Sequence, residues 1–383
     1  MSTKKSEKAA DRQICMAFEC DRQELSRAIG AAIRGVNAKA SVDFLRGLLL
    51  RCSGDTVTIT GTDTGMGITA TLEANVITPG AVVLDAHILS DIIKRASGSD
   101  VAISTDDKLQ TVISSGDAEF SIAGLSAQNY PALPEVEELR TLTLSQATLK
   151  KQIGKTIFSA SDQEAKAIHT GVLFDVAPES LTLVALDGVR LALRREVVEA
   201  DEEYSFVVPA ASLRELERML EEDEEATVSL HIGDRHMLAE LPGVTLVSRL
   251  LEGKFLAYKN AIPPTREFTY KMDTKAMRGA LERVSLIITE KQKSPVRILF
   301  EDGQAQVSCT TAIGRAVDVV SYEGGGDIEI GFNPRFLLDA LRRAAGDTFR
   351  FEAAGPLAPC LILPDDGEDT VFMVLPVRLK GRA

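Results

Sequence analysis

Ser205-Phe206-Val207-Val208-Pro209 is a short apolar strand that runs straight into a helical pattern from Ala210 to Leu220. The same succession occurs at Ala81-Val82-Val83-Leu84-Asp85, before a pattern from Ala86 to Ala96, and at Ile328-Glu329-Ile330-Gly331-Phe332-Asn333, before one from Pro334 to Ala345. Asp85, Pro209 and Asn333 are separated by 124 and 124 residues. Asp21, Ser145 and Asp273 each stand one step before another amphipathic run, Arg22 to Val36, Gln146 to Ala160 and Thr274 to Thr289, at intervals of 124 and 128. A fixed period of self-similarity marks a repeat architecture, and a period this long is a whole domain. The sequence therefore predicts a polar disordered tail over 1–13 and three copies of one domain, over 14–138, 139–264 and 265–383.

Each copy reads as helix, strands, helix, strands. Asp21, with Glu24 three residues on, has capping-box spacing. Apolar residues recur at helical intervals: Leu25, Ile29 and Ile33; Leu149, Ile153 and Ile157; Met277, Leu281, Val284 and Ile288. The second helices repeat this with Ile88 and Ile92, with Leu213, Leu216 and Leu220, and with Leu337 and Leu341. Alternating runs such as Thr56-Val57-Thr58-Ile59-Thr60, Leu181-Thr182-Leu183-Val184-Ala185 and Gln304-Ala305-Gln306-Val307-Ser308 predict strands with one apolar face. Two amphipathic helices per copy cover those faces. The expected fold class is α+β, with helices on one side of antiparallel sheets.

The 383 residues are 45% hydrophobic and 26% charged, enough for three ordinary cores and a polar surface. No apolar run approaches the ~20 residues of a membrane helix, and no signal-type apolar run follows the lysines of the N-terminal segment. A cytoplasmic protein is expected. Cys15, Cys20, Cys52, Cys309 and Cys360 form no CxxC pair and read as free thiols of a reducing compartment. The four histidines, His87, His169, His231 and His236, make no metal pattern, so neither metal nor cofactor is expected. No tryptophan and only five tyrosines argue against a base-stacking platform.

The formal charge is −13, which taken whole repels nucleic acid. Its distribution is uneven: the six helical segments sum to +8 and the remainder to −21. The basic residues fall in stripes, Arg27 with Arg34, Lys151 with Lys155, Arg214 with Arg218, Lys275 with Arg278, and Arg335 with Arg342, with Lys39 beyond the first helix. Spacings of three, four or seven put each pair on one helix face. Any one stripe is the ordinary polar face of an amphipathic helix. Six helices sharing it against an acidic remainder suggest a cationic surface for phosphates.

If all helices face one axis, packing at ~10 Å makes six helices a circle only ~19 Å across, too narrow for a duplex. Twelve helices give ~38 Å, or roughly 30 Å after side chains, which admits a duplex. A ring around DNA would then need two chains, joined head to tail, and would slide without reading bases.

Local strings sharpen this. Thr60-Gly61-Thr62-Asp63, Leu186-Asp187-Gly188-Val189-Arg190-Leu191-Ala192, Glu252-Gly253-Lys254-Phe255 with Ile262-Pro263, Ile330-Gly331-Phe332-Asn333 and Leu375-Pro376-Val377-Arg378-Leu379 occur in this order. With the repeat, they resemble the bacterial sliding clamp, the beta subunit of DNA polymerase III, from about Cys15 to Leu379. The resemblance implies a six-domain homodimeric ring on double-stranded DNA. It implies as partners the replicative polymerase, the clamp loader and other proteins bearing a clamp-binding peptide, and no membrane. It places a peptide pocket between the middle and last domains, walled by His169, Gly188, Arg190, Leu191, Leu256, Ala261, Leu357, Pro359, Met373, Leu375, Pro376, Val377 and Arg378, and edged by Asn333 and Phe336. It places Phe120 and Ile122 of one chain against Leu286 and Ile287 of the other. The chain departs from the family's usual residues at Leu186, Val189, His169 and Leu256, at the Lys39-Ala40-Ser41-Val42-Asp43 loop, and in the extension Lys380-Gly381-Arg382-Ala383. These departures bear on peptide preference.

Catalysis is not indicated. Gly324-Gly325-Gly326 lacks the Lys-Ser/Thr of a P-loop, and Asp365-Asp366-Gly367-Glu368-Asp369 reads as an acidic hairpin turn. The remaining alternative is a three-domain scaffold that binds peptides but does not encircle DNA, which the net charge favours and the basic helices disfavour.

Overall fold

The computed structural model describes residues 13–137, 139–200, 202–289, 294–366 and 369–379. Of the expected tail only Gln13 is included, and the extension 380–383 lies outside the described residues. Among the described residues six α-helices occur at the expected places: α1 (Arg22–Ala32), α2 (Ala86–Arg95), α3 (Gln146–Thr156), α4 (Ala210–Met219), α5 (Thr274–Ser285) and α6 (Pro334–Arg343).

Five of the six starts are fixed by a side chain that accepts from the first free N–H groups. Asp21 accepts from Gln23 and Glu24 at 2.7 and 2.8 Å, and Asp85 from His87 and Ile88 at 3.0 and 2.9 Å. Ser145 accepts from Thr148 at 3.1 Å, Asp273 from Ala276 at 2.6 Å and Asn333 from Arg335 at 3.1 Å. Glu24 pairs with Arg27, so the capping box is realised on its Asp21 side.

The helices end earlier than the periodicity predicts. After α1 the chain tightens into a 3₁₀ turn over Ile33–Gly35. Gly35 is pressed against the strand Thr56–Thr62, where a Cβ would lie 2.4 Å from the Gly61 carbonyl oxygen. After α3 a 3₁₀ turn covers Ile157–Ser159, while the Thr156 hydroxyl donates back to the Gln152 carbonyl at 2.8 Å. α5 stops at Ser285, short of Thr289. Apolar spacing continues through these turns and cannot distinguish a tight turn from one more α-helical turn. Ile88 is a further correction: it faces solvent, and α2 buries Leu89, Ile92 and Ile93 instead.

The strands of the described residues form three antiparallel sheets. A five-stranded sheet runs Asn75–Thr78, Ile14–Asp21, Asp100–Asp106, Gln110–Ser115, Ala118–Ala123. An eight-stranded sheet runs Arg140–Ser145, Thr227–Ile232, His236–Leu241, Val244–Arg249, Met66–Glu73, Thr56–Thr62, Gly47–Ser53, Gly80–Asp85. A twelve-stranded sheet runs Tyr204–Pro209, Gly171–Ala177, Ser180–Leu186, Arg190–Val197, Asp369–Val374, Cys360–Pro364, Thr348–Ala353, Phe268–Asp273, Arg315–Gly325, Gln304–Thr310, Val296–Glu301, Ile328–Phe332.

Two ladders cross the repeat boundaries. Val244 to Ser248 pairs with Ala70 to Met66, and Arg190 to Arg195 pairs with Val374 to Asp369. The chain accordingly divides into two compact units, Met1–Thr143 with Thr227–Arg249, and Leu144–Ala226 with Leu250–Ala383. In the first, Leu25 and Ile29 of α1 and Leu89 and Ile93 of α2 close on Leu48, Leu50, Val57 and Ile59. In the second, Met277, Leu281, Leu337 and Leu341 cover an aromatic stack in which the Tyr270 and Phe300 rings lie 3.9 Å apart.

Candidate peptide pocket and basic helical faces

The string Asp187-Gly188-Val189-Arg190 is a tight turn ahead of the strand Arg190–Val197. Asp187 Oδ1 accepts from the Val189 and Arg190 N–H groups at 3.0 and 3.1 Å. Gly188 takes φ 94°, the left-handed region that favours glycine. Arg190 is thereby turned inward, only 9% exposed. Its Nε donates to Asp187 Oδ2 at 2.9 Å and its Nη1 to Asp339 Oδ2 on α6 at 2.6 Å. The guanidinium lies over the rings of Phe336 and Phe158 at 4.8 and 5.6 Å. A cation taken out of water is thus repaid by two carboxylates and two aromatic faces.

The turn anchors the C-terminal segment. The Leu375 N–H donates to the Val189 carbonyl at 2.9 Å, and the Val377 N–H to the Gly331 carbonyl at 2.8 Å. Gly331 has no room for a side chain, since a Cβ there would lie 2.8 Å from the Val377 carbonyl oxygen. Leu375, Pro376 and Val377 are half-buried and Arg378 is exposed.

Leu191 and Met373 face each other across the ladder and join one apolar cluster with Leu173, Leu186, Leu193, Val207, Tyr258 and Leu361. Ala261, Ile168 and Phe255 pack at its margin. The His169 ring stands edge-on to Phe255 at 5.7 Å. Burial, and then the Lys166 charge, lower the His169 pKa from 6.5, favouring the neutral ring. Leu256 is exposed and lines a cleft of about 660 Å³ with Leu173, Asp175 and Tyr258. Leu357 is exposed and Pro359 half-buried on the loop before Cys360–Pro364. Asn333 caps α6, and Phe336 lies one turn on, beneath Arg190.

Arg190, Gly188, Phe336, Leu375 and Leu191 are therefore gathered around one turn and one ladder. Sequence reading missed Asp339, Phe158 and Ile168. Asp339 could have been found three residues after Phe336 on the same helix face.

Of the basic residues, Arg27, Arg34, Lys39, Lys151, Arg214, Arg218, Lys275, Arg335 and Arg342 are exposed and Arg278 is half-buried. Lys155 is a correction. It is 9% exposed, and its ammonium lies 3.6 Å from Asp366. α3 buries the Lys155 face along with Gln152 and Thr156, so this lysine cannot meet a phosphate. Arg218 pairs with Glu215 at 2.5 Å and Arg342 with Glu282 at 3.2 Å.

The strand Ala118–Ala123 is the outer strand of its sheet, with Phe120 exposed and Ile122 packed against the first core. Leu286 is 83% exposed just past α5, and Ile287 packs on the core that Met277 and Leu281 cover. Among the described residues there is no cluster of His, Cys, Asp or Glu suited to a metal, and no helix long and apolar enough to cross a membrane. The five cysteines are free thiols, and four of them are buried.

Comparison with known proteins covers nearly the whole chain. Three profiles of the DNA polymerase III beta subunit match in tandem: the N-terminal domain over residues 16–134, the central domain over 143–256 and the C-terminal domain over 259–378. The beta sliding clamp of Bacillus subtilis is 30% identical over 377 residues, covering 95% of this chain and 100% of the relative. That of Staphylococcus aureus is 27% identical over 376 residues, covering 95% and 99%. The crystal structure of the Bacillus subtilis DNA polymerase sliding clamp superposes with a TM-score of 0.91 at 29% identity, covering 95% of this chain and 100% of that one. A Pseudomonas aeruginosa sliding clamp bound to griselimycin does so with a TM-score of 0.89 at 26% identity, over the same shares. The chain, three tandem clamp domains of α+β type, belongs to the DNA polymerase III beta subunit family, the beta sliding clamps, which are non-catalytic processivity factors.

Proposed function

We propose that two copies of this chain, each of three clamp domains over 14–138, 139–264 and 265–383, join head to tail, encircle double-stranded DNA and hold the replicative polymerase on it. The carrying observation is that cationic side chains stand in solvent on all six helices of a chain whose net charge is −13. A sliding contact needs this, since phosphates attract such a surface at any sequence. The open edge of Ala118–Ala123 and the exposed Leu286 support the head-to-tail joint, with Phe120 and Ile122 of one copy meeting Leu286 and Ile287 of the other.

Partner peptides dock beside the Arg190 turn. The exposed Leu256 and the half-buried Ala261 supply apolar area over the buried Leu191 and Met373, while Leu375, Pro376, Val377 and Arg378, a segment held by the Val189 and Gly331 carbonyls, supply the rim. His169 and Leu256 set the peptide preference. The clamp loader and other proteins with a clamp-binding peptide use the same recess.

The deciding experiment compares retention on closed circular and on linear duplex after loading by a clamp loader. Retention on the circle with loss from free ends is expected. Equal loss from both rejects encirclement and leaves a peptide-binding scaffold. Native mass is the companion measurement, because a monomer of 41.3 kDa cannot enclose a duplex. For the pocket, deleting residues 375–383 weakens binding of a polymerase-derived peptide in calorimetry. Unchanged affinity would put the peptide elsewhere.

A further inference from the structure

Between α4 and α6 lies a cleft of about 410 Å³ whose lining includes Arg190, Arg214, Arg335, Arg342 and Arg343 against only Asp162 and Asp339. Its volume is that of a small-ligand site, but its walls are charged, so it suits an anion. The arginines differ in how far they are neutralised. Arg190 is bound to Asp187 and Asp339, and Arg335 approaches the same Asp339 at 3.9 Å. Arg342, also on the wall, pairs with Glu282 at 3.2 Å. Arg214 on α4 and Arg343 in the last turn of α6 are both exposed and make no ion pair among the described residues. Two unneutralised guanidiniums thus face one hollow from two helices. A guanidinium fork matches two phosphate oxygens at once, which an ammonium does not.

We infer that this cleft is a discrete seat for one backbone phosphate of duplex DNA, gripped by Arg214 and Arg343 and approached by Arg335 and Arg342. Asp339 keeps Arg190 engaged in the protein, so that Arg190 closes the floor of the seat while its neighbours bind. The inference rests on the encirclement reading for the source of the phosphate. It changes the picture of the basic helices from a diffuse field to a field with one fixed contact per chain.

The test uses the full chain and a short linear duplex, followed by fluorescence anisotropy over a range of sodium chloride concentrations. Each phosphate contact contributes about 0.9 to the slope of log affinity against log salt. Arg214→Ala with Arg343→Ala lowers that slope by ~1 for each chain bound. Arg214→Lys with Arg343→Lys preserves the slope and weakens binding several-fold, through loss of the fork. Arg51→Ala with Lys108→Ala removes the same charge from exposed positions outside the cleft and is the control. An unchanged slope in the alanine pair, or an equal fall in the control, overturns the seat. Calorimetry with sodium pyrophosphate separates the sources: heat abolished by the alanine pair with no change in the duplex slope assigns the cleft to a free phosphate compound and overturns the duplex assignment. Linear duplex needs no loading, so failure of circular retention with a preserved slope difference rejects encirclement and leaves the seat standing.

Discussion

Arg190→Ala removes the side chain that holds the Asp187-Gly188-Val189 turn to α6. The lost interactions are charge-assisted hydrogen bonds of 2.9 and 2.6 Å and a guanidinium between two aromatic rings. Each such hydrogen bond contributes ~1.5–3 kcal/mol and the ring contacts ~0.5–2 kcal/mol. Water repays part of this, because the Asp187 and Asp339 side chains remain 16% and 23% exposed. A net cost of ~3 kcal/mol follows, at the low end for breaking a buried pair. For a folding unit of this size, ~2–4 °C of melting temperature accompanies each kcal/mol, so the transition of the second unit falls by ~6–12 °C. Differential scanning calorimetry measures it. Arg190→Lys, which keeps the charge and loses the guanidinium fork that serves the two carboxylates, falls in between. Because Val189 anchors Leu375, peptide affinity falls as well. A decrease below ~2 °C in the alanine variant would mean that the Asp339 pair is not formed in solution, and the keystone role of Arg190 would be refuted.

Asp366→Asn strands the Lys155 ammonium and costs ~3–5 kcal/mol in thermal or denaturant unfolding, whereas Lys155→Met with Asp366→Leu is neutral or stabilising. Burial already holds the Lys155 pKa below 10.5 despite Asp366. The charged form is therefore penalised in the fold, stability is lost as pH falls from 10.5 through the folded value, and the gap between Lys155→Met and the parent narrows as pH is raised towards 10.5. The same sign applies to His169, whose lowered pKa leaves the neutral ring unpenalised above 6.5 and opposes protonation below it. Peptide affinity in calorimetry should fall on acidification below 6.5, and His169→Leu should flatten that dependence. Gly61→Ala, whose Cβ would lie 2.1 Å from the Ala32 carbonyl oxygen, destabilises by ~1–3 kcal/mol in chemical denaturation, while Gly30→Ala, in open space on α1, stabilises by ~0.5–1 kcal/mol.

The repeat and its helices were legible because a strand running into a capped helix is a local pattern: Asp21, Asp85, Ser145, Asp273 and Asn333 carry both the boundary and its chemistry. The early end of α1 was not legible, because the Ile33–Gly35 turn that follows it is packed on Gly61, distant in sequence. Lys155 shows the limit of the stripe argument. Four-residue spacing from Lys151 puts it near the same face, but α3 turns that position towards Asp366, more than two hundred residues further along the chain. The basic cleft was half visible. Arg214, Arg335 and Arg342 were marked by spacing, yet their convergence with Arg343 on one hollow depends on how α4 and α6 approach, which no local pattern encodes.

The unbroken backbone ladders at Val244 to Ser248 and Arg190 to Arg195 put the period of the gene and the period of the folding out of step. A fragment excised as one repeat, such as residues 139–264, keeps its helices but carries raw strand edges where its neighbours were torn away. Such edges recruit other chains. Evolution could multiply this domain along a chain, but it cannot readily shed one copy, and swapping a single repeat between relatives would have to preserve the hydrogen-bonding register on both flanks.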